Sequence, residues 1–280
     1  MIVNKISVNK ILFDSGNLFS LAIEMTLTSQ FTLLTEIDPD PVELVNASSQ
    51  VPLLLLCEHA GHAIPKSLKN LGLDKSTLSS HRAWDIGAET LARKLAQRIN
   101  APLILQRYSR LVIDPNRPPG SIESIPEISD RIEISANKNL DFNEREARRQ
   151  AIFEPMDQAI QAAFDFTERK AAFSIHSYTP VFDGHEREWN AGFLSRKSLS
   201  TAESLINSVA QMKPDLNLAI NQPYQIDDET DWFIPQHAEK RLLPHCLIEI
   251  RNDQINHETG VSQWVKLLAK AINDLMKGLL

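Results

Sequence analysis

Four consecutive leucines constrain the fold of this chain more than any other feature of the sequence. Residues 51–62 read VPLLLLCEHAGH, so an unbroken apolar run ends abruptly in a carboxylate and two imidazoles. A short apolar run bounded by polar residues predicts a central strand that is buried on both faces. Open α/β sheets place their chemistry at the carboxyl ends of such strands. Glu58, His59 and His62 therefore lie where an active site would be built.

The same pattern recurs in two later segments. The apolar run AAFSIHSYTP contains His176 near its end, and HCLIEIRND contains Glu249, Arg251 and Asp253. Three predicted strand ends that offer histidine and glutamate favour a metal hydrolase over a binding module.

Helical and extended patterns alternate along the rest of the chain. A helix is predicted to begin near His81, because apolar residues recur at helical spacing from Trp84 to Ile99 and Ser79 and Ser80 can cap it. Further helices are predicted over 143–168, 201–212 and 258–279, further strands over 102–109, 171–177, 191–194, 216–221 and 245–251, and long loops over 114–142 and 222–236. This alternation predicts a three-layer α/β/α fold with a mostly parallel mixed sheet. Residues 31–280 are expected to form a single domain, and residues 1–30 a loosely attached N-terminal extension for which disorder is one expectation.

Composition excludes several classes of protein. A net charge of −7 argues against a nucleic-acid partner, which would need a basic face. The two cysteines, Cys57 and Cys246, lie in or beside predicted buried strands, so they are expected to be core residues of a protein from a reducing compartment. No apolar stretch is long enough to span a membrane, and no signal peptide is evident, so a cytoplasmic location is expected.

His59 and His176 are the first candidates for a metal site. Both follow or end a predicted buried strand, where they can converge. Imidazole nitrogens and carboxylate oxygens are good ligands for zinc, and a catalytic zinc site uses three protein ligands. A single histidine is usually a surface or core residue, but two at equivalent strand ends favour a shared function.

The third metal ligand stays open between several residues. Asp85 is the first choice and Glu58 the second, with His62 and His81 as further alternatives. Asp85 could instead be a carboxylate in the first turn of a helix, where the helix dipole stabilises it.

Glu249 is the candidate general base. It lies inside the apolar segment LIEIR, and a buried carboxylate must be paired or have a raised pKa. Such a carboxylate beside an activated water is suited to accept its proton. The alternative is a buried ion pair with Arg251, which shares its face of the strand.

Arginines form a second group of candidate residues. They are Arg107, Arg110, Arg117, Arg187 and Arg251. The planar guanidinium group binds carboxylates with two parallel hydrogen bonds. An acidic chain with arginines beside its candidate catalytic strands is expected to take a small anionic substrate, with Arg110 or Arg117 as the first choice for the carboxylate clamp.

Several long motifs resemble the N-formylglutamate amidohydrolase family. They are CEHAGHAIP (57–65), LGL (71–73), HRAWDIGAETLARKLA (81–96), YSRLVIDPNRP (108–118), HSYTPVFDG (176–184), NQPY (221–224), HAE (237–239) and IEIRND (248–253). The resemblance spans roughly residues 50 to 270 in order. It implies a fold similar to zinc-dependent exopeptidases and hydrolysis of N-formyl-L-glutamate to glutamate and formate, a step of histidine degradation.

The resemblance also assigns residues. The metal-site histidines of the family fall on His59 and His176, and the glutamate of its Glu-Ile-Arg motif falls on Glu249. Its Arg-x-x-x-Asp-x-Asn-Arg stretch falls on Arg110, Asp114, Asn116 and Arg117. The substrate-binding residues expected here are Arg110, Asn116, Arg117 and Arg251.

Two departures from the family pattern leave the substrate open. Glu58 stands where many relatives have proline or aspartate, and four acidic residues follow the NQPY motif: Asp227, Asp228, Glu229 and Asp231. These carboxylates would repel a dicarboxylate unless they point outward or pair with arginines. The alternatives are a metallocarboxypeptidase, a deacylase for another acyl group, or a binding or regulatory protein that kept the fold and lost the metal.

Overall fold

A seven-stranded sheet forms the centre of the residues that this computed structural model describes, 32–279. The strands of the sheet are β1 (Val42–Val45), β2 (Leu53–Cys57), β3 (Leu103–Gln106), β6 (Ala171–Tyr178), β9 (Ala191–Leu194), β10 (Leu218–Ile220) and β11 (His245–Arg251). Two separate hairpins pair β4 (Ile128–Ser129) with β5 (Ile132–Glu133) and β7 (Val181–Phe182) with β8 (His185–Glu186). Residues from Leu33 onward form one compact unit. The predicted extension, residues 1–30, lies outside the described residues.

The sheet is mixed but mostly parallel, as predicted. Its order is β1-β3-β2-β6-β11-β9-β10. The four central strands β3, β2, β6 and β11 run parallel to one another. β9 runs antiparallel to β11 with β10 parallel to β9, and β1 closes the other edge antiparallel to β3. The carboxyl ends of the four central strands therefore lie at one edge of the sheet.

Helices cover both faces of the sheet. The helices are α1 (Lys75–Leu78), α2 (Ala88–Ile99), α3 (Phe142–Arg148), α4 (Glu154–Phe166), α5 (Leu199–Met212) and α6 (Glu258–Leu279). Leu53, Leu55 and Cys57 pack in one apolar cluster with residues of α2, α5 and α6. Leu54 and Leu56 pack in a second cluster with residues of α4. Because the side chains of a strand alternate between faces, this division gives the predicted three-layer α/β/α architecture.

The predicted beginning of the first long helix was wrong. α2 begins at Ala88, after Gly87, whose φ of 85° is unfavourable for residues with a Cβ. A Cβ on Gly87 would also lie 2.4 Å from the carbonyl oxygen of Ile255. The preceding segment is held against the sheet instead, because the backbone N–H of Asp85 donates to the carbonyl oxygen of His59 at 2.9 Å.

Other elements differ from prediction in detail. The strand β3 ends at Gln106, and the edge strand β1 was not predicted. The helix expected over 143–168 is continuous but contains a π-helical turn, Arg149–Phe153, between α3 and α4. The two predicted loops contain the hairpin of β4 and β5 and a second π-helical turn, Ile234–Ala238. Of the helices in the described part of the chain, none is long and apolar enough to span a membrane.

Cys57 and Cys246 are both buried free thiols in central strands. Burial raises the pKa of both thiols, which disfavours the reactive thiolate. The structure therefore agrees with their interpretation as core residues.

Candidate active site

The carboxyl ends of three central strands bring the candidate residues together. His59 follows β2 by two residues, and His176 lies near the end of β6. Glu249 of β11 is the register partner of His176 in the parallel pair of strands. These three side chains come from segments far apart in sequence, so the sheet topology is what assembles the site.

His59, Asp85 and His176 form a compact buried group. One ligand atom from each residue lies within 4.8 Å of the other two. The Asp85 Oδ2 atom is 3.0 Å from His176 Nδ1 and 3.5 Å from His59 Nδ1. The backbone N–H of Ser177 also donates to Asp85 Oδ2 at 3.1 Å. The two imidazoles thus turn the same nitrogen, Nδ1, towards one carboxylate.

A second carboxylate lies behind each imidazole. His59 Nε2 is 2.8 Å from Asp114 Oδ1, a hydrogen-bond distance. His176 Nε2 is 3.2 Å from Glu58 Oε2, although the two groups are not aligned for a hydrogen bond. Outer carboxylates of this kind fix the orientation and tautomer of metal-binding histidines.

The group fits a divalent metal ion. His59 Nδ1 and Asp85 Oδ1 are buried and have no hydrogen-bond partner among the described residues. Unpaired buried polar atoms are costly, so a native protein retains them where a ligand will bind. Two imidazole nitrogens and one carboxylate oxygen make a donor set that suits zinc.

The carboxylates and imidazoles of the site shift the pKa values of Asp85 and His176. Burial would raise the pKa of Asp85, but His59 and His176 outweigh it and hold that pKa well below its usual range. Burial would lower the pKa of His176, but Glu58 and Asp85 raise it instead. The carboxylates of Glu58 and Asp85 and the imidazole of His176 therefore stabilise one another electrostatically.

Glu249 has a different environment from the other carboxylates. It is only 6% exposed, and its Oε2 atom is buried without a hydrogen-bond partner among the described residues. Burial raises its pKa to about 7. The alternative of an ion pair with Arg251 is not formed, because the Arg251 guanidinium donates to Asp253 at 2.8 Å.

A cavity of about 970 Å³ opens over these groups, and His59, Asp85, His176 and Glu249 all line it. Its volume is sufficient for a small substrate. His81 also lines it, with Nδ1 3.8 Å from Asp85 Oδ1, and burial lowers the pKa of His81 to about 4, which favours a neutral imidazole.

Arg110, Asn116 and Arg117 line the cavity, and each is hydrogen-bonded to other groups of the protein. Arg110 donates to Asp114 Oδ2 from Nε at 3.1 Å and from Nη2, one of its two terminal nitrogens, at 2.9 Å. The Asn116 oxygen accepts backbone N–H groups of residues 232 and 233, and its amide donates to Asp231. Arg117 donates to the carbonyl oxygen of residue 230.

Two predicted site residues, Glu58 and Arg251, lie outside the converging group. Glu58 lies behind His176 and accepts a hydrogen bond from the Ser174 hydroxyl at 2.5 Å, so it is a partner of the imidazole rather than one of the converging ligand atoms. Arg251 is absent from the residues that line the cavity. Its guanidinium donates to Asp253 and to the carbonyl oxygen of Arg187.

Two of the four acidic side chains after NQPY, Asp227 and Asp228, have partners within the protein. Asp228 pairs with Arg196 at 2.6 Å, and Asp227 accepts backbone N–H groups of its own turn. Asp231 is the member of this segment that reaches the cavity, where burial raises its pKa. The repulsion of an anionic substrate is therefore weaker than the sequence indicates.

Comparisons with known proteins identify the family and the fold. The family model for N-formylglutamate amidohydrolase matches residues 51–256. The crystal structure of gene product Atu2144 from Agrobacterium tumefaciens is 35% identical, with a TM-score of 0.81 over 87% of this chain and 99% of that one. The structure of N-formylglutamate amidohydrolase from Ralstonia eutropha JMP134 is 17% identical, with a TM-score of 0.60 over 86% of this chain and 98% of that one, and shows the same fold. A search of the curated proteins finds no significant match. The chain belongs to the N-formylglutamate amidohydrolase family.

Proposed function

We propose that this protein hydrolyses the amide bond of an N-acyl amino acid with one bound zinc ion, and that N-formyl-L-glutamate is its substrate. The observation that carries the proposal is the convergence of His59, Asp85 and His176 at a cavity that Glu249 also lines. Family membership supports the amidohydrolase reaction, and the donor set supports zinc.

His59 and His176, through Nδ1, and Asp85, through a carboxylate oxygen, would hold the metal. A bound zinc ion supplies two kinds of chemistry here, polarisation of a carbonyl group and a lowered pKa for water. Asp114 and Glu58 would keep the two imidazoles oriented, since they lie beside the opposite ring nitrogens.

Glu249 would accept the proton of the attacking water and pass it to the nitrogen of the leaving amino acid. Its position beside His176 in the sheet brings it to the same cavity, and its raised pKa of about 7 suits a base that works near neutral pH. The carbon–nitrogen bond breaks as the nitrogen gains that proton, so formate and a free amino acid are the products.

Arg110 would stabilise the negative charge that develops on the carbonyl oxygen. One edge of its guanidinium is fixed by Asp114, and the remaining terminal nitrogen is 3.6 Å from Asp85 Oδ1. A fixed donor beside the metal-binding group is the arrangement that stabilises an oxyanion.

The test combines metal analysis with a substrate comparison. Protein purified without chelator is expected to contain one zinc ion per chain and to release formate from N-formyl-L-glutamate faster than from N-formyl-L-glutamine or N-formyl-L-methionine. Faster turnover of N-formyl-L-methionine would contradict the proposed substrate while keeping the reaction. A zinc-loaded protein that releases formate from none of the three would contradict the reaction itself.

A further inference from the structure

The arginines that line the cavity already have acidic partners. Arg82 pairs with Asp130 at 2.5 Å, and Arg110 pairs with Asp114 at 2.9 Å. Arg117 is 3.7 Å from Glu123 and donates to a backbone carbonyl oxygen. None of these residues is a free cation for the carboxylate of a substrate.

Arg187 has no carboxylate partner among residues 32–279, and it lies beside the same cavity. One terminal nitrogen of its guanidinium donates to the Tyr224 hydroxyl at 2.9 Å. The guanidinium carbon is 4.6 Å from the ring centre of Phe182, 5.0 Å from that of Tyr224 and 5.5 Å from that of Tyr178. Aromatic rings at these distances hold an arginine in place while its charge stays unpaired.

Two of the three rings connect Arg187 to the cavity. Phe182 and Tyr224 both line it, and Tyr224 is 41% exposed. Because the Tyr224 oxygen accepts a hydrogen bond from Arg187, its own proton can be donated to a ligand. Glu249, the candidate base, lines the same cavity as Tyr224, and burial together with the charge of Glu249 raises the pKa of the phenol.

The backbone around Arg187 is fixed by several contacts. Arg251, at the end of β11, donates to the Arg187 carbonyl oxygen at 2.8 Å. The Arg187 N–H donates to the carbonyl oxygen of Pro180 at 2.8 Å, and the Tyr178 hydroxyl donates to that of Trp189 at 2.6 Å. The guanidinium is therefore positioned before any ligand arrives, which lowers the entropic cost of binding.

We infer that Arg187 and Tyr224 form the subsite for the α-carboxylate of the substrate. The inference rests on the proposed function, because it takes an N-acyl amino acid as the ligand. The α-carboxylate is the assigned group because it is only two bonds from the nitrogen on which Glu249 acts. Arg251 has an indirect role, since it positions the backbone of Arg187.

The deciding experiment compares two ligands that differ only at this carboxylate. Affinities of zinc-loaded protein for N-formyl-L-glutamate and for its α-amide are measured by calorimetry, with Glu249→Gln in every protein so that turnover is slow. Wild type and the variants named here refer to the remaining positions. The wild-type protein is expected to bind the acid about 10- to 100-fold more tightly, the range of charge-assisted hydrogen bonds. Arg187→Gln should remove that preference, and Tyr224→Phe should reduce it. Arg131→Gln is the matched control, because Arg131 pairs with the cavity residue Asp183 and should leave the preference unchanged.

The inference is overturned if wild-type protein binds the acid no more tightly than the α-amide, or if Arg187→Gln weakens both equally. Circular dichroism checks the fold. If Arg187→Gln does not fold, Arg187→Lys is tested instead, because it keeps the charge but loses the planar fork. A preference of Arg187→Lys for the acid as large as that of wild type would refute the clamp. Formate release is measured separately. A preference for the acid that depends on Arg187, without formate release, would refute the proposed reaction but not the clamp. Formate release with equal affinities for the acid and the α-amide would refute only the clamp.

Discussion

Arg148 and His59 are both almost fully buried, yet they differ in how many of their side-chain nitrogens have hydrogen-bond partners. Arg148 is 1% exposed and donates to the carbonyl oxygens of Val112 and Ala136 and to the Asn137 oxygen, at 2.7 to 3.0 Å. The Asn137 amide donates in turn to two further carbonyl oxygens. No buried side-chain atom of Arg148 or Asn137 lacks a partner, whereas His59 Nδ1 does.

The difference separates a structural polar cluster, Arg148 with Asn137, from the candidate metal-binding cluster, His59 with Asp85 and His176. A complete network of buried hydrogen bonds stabilises the fold, and an incomplete one costs free energy until a ligand completes it. The two clusters are also connected. Arg148 holds the backbone at Val112, two residues before Asp114, so the complete cluster supports the loop that carries the partner of His59.

Loss of either histidine should abolish metal binding by the incomplete cluster, His59 with Asp85 and His176. His59→Ala and His176→Ala should each lose the metal, because either change leaves only two of three ligands. Both variants should remain folded, since the apolar sheet contacts do not depend on the imidazoles. Metal analysis and circular dichroism measure the two outcomes, and wild-type protein treated with a chelator should behave like the variants. Stoichiometric metal in both variants would show that His59 and His176 are not metal ligands.

The complete cluster should respond in the opposite way. Arg148→Met leaves several buried carbonyl oxygens unpaired and is expected to lower the free energy of unfolding by about 3 kcal/mol or more. Chemical denaturation measures this loss. Arg149→Met is the control, because Arg149 pairs with Glu146 and Glu154 near the surface, and exposed pairs contribute up to about 1 kcal/mol each. Equal losses in the two variants would show that the Arg148 network has no special weight.

Glu249→Gln should separate stability from catalysis within one residue. We expect kcat to fall by about 10²-fold or more, because the base is lost while shape is kept. Metal content should stay unchanged, because Glu249 is not among the converging ligand atoms.

Without metal, the Glu249→Gln variant should be more stable than wild type at high pH. Burial raises the folded-state pKa of Glu249 to about 7 from an ordinary value of 4.5. Stability is therefore lost as the pH rises between these values, because the unfolded chain ionises first. At pH 8 the metal-free variant should unfold at a higher temperature than metal-free wild type. A lower unfolding temperature together with near-wild-type kcat would make Glu249 a structural residue.

The sequence predicted those parts of the site that local pattern determines. Buried apolar runs identify β2, β6 and β11, and the polar residues at their ends are His59, His176 and Glu249. Asp85 does lie in the converging group, although the helix assumed around it was not formed, and its role as the third metal ligand stays a prediction.

Long-range contacts explain what the sequence did not predict. Asn116 is bonded to Asp231, 115 residues away, and nothing in either local pattern indicates this pairing. Similarly, Arg187 gains its importance from Tyr224, which is 37 residues further along the chain. Whether an arginine can bind a ligand depends on which carboxylates the fold places beside it. Residue type and spacing therefore identified the group of arginines, but not that Arg187 is the one without a carboxylate partner among residues 32–279.

Asp114 lies between the two clusters, and its loss should weaken metal binding without abolishing it. Its Oδ1 atom is 2.8 Å from His59 Nε2 and accepts the Asn116 N–H at 2.9 Å, while its Oδ2 atom accepts from Arg110. Asp114→Asn keeps the shape but supplies only one oxygen, so in either orientation an NH₂ group faces a donor. We expect metal affinity to fall by about 10- to 100-fold, the usual cost of losing an outer partner of a metal-binding histidine.

Competition with a metal-binding dye measures the affinity of the Asp114→Asn variant. Asp183→Asn is the control, because Asp183 lines the cavity but pairs with Arg131 at its exposed rim, and the metal affinity of that variant should not change. Unchanged affinity in Asp114→Asn would mean that the loop alone orients His59, since the hydrogen bond to the carboxylate would then contribute nothing measurable. In that case the support from Arg148 would be the more important of the two, and Arg148→Met should weaken metal binding in the protein that remains folded.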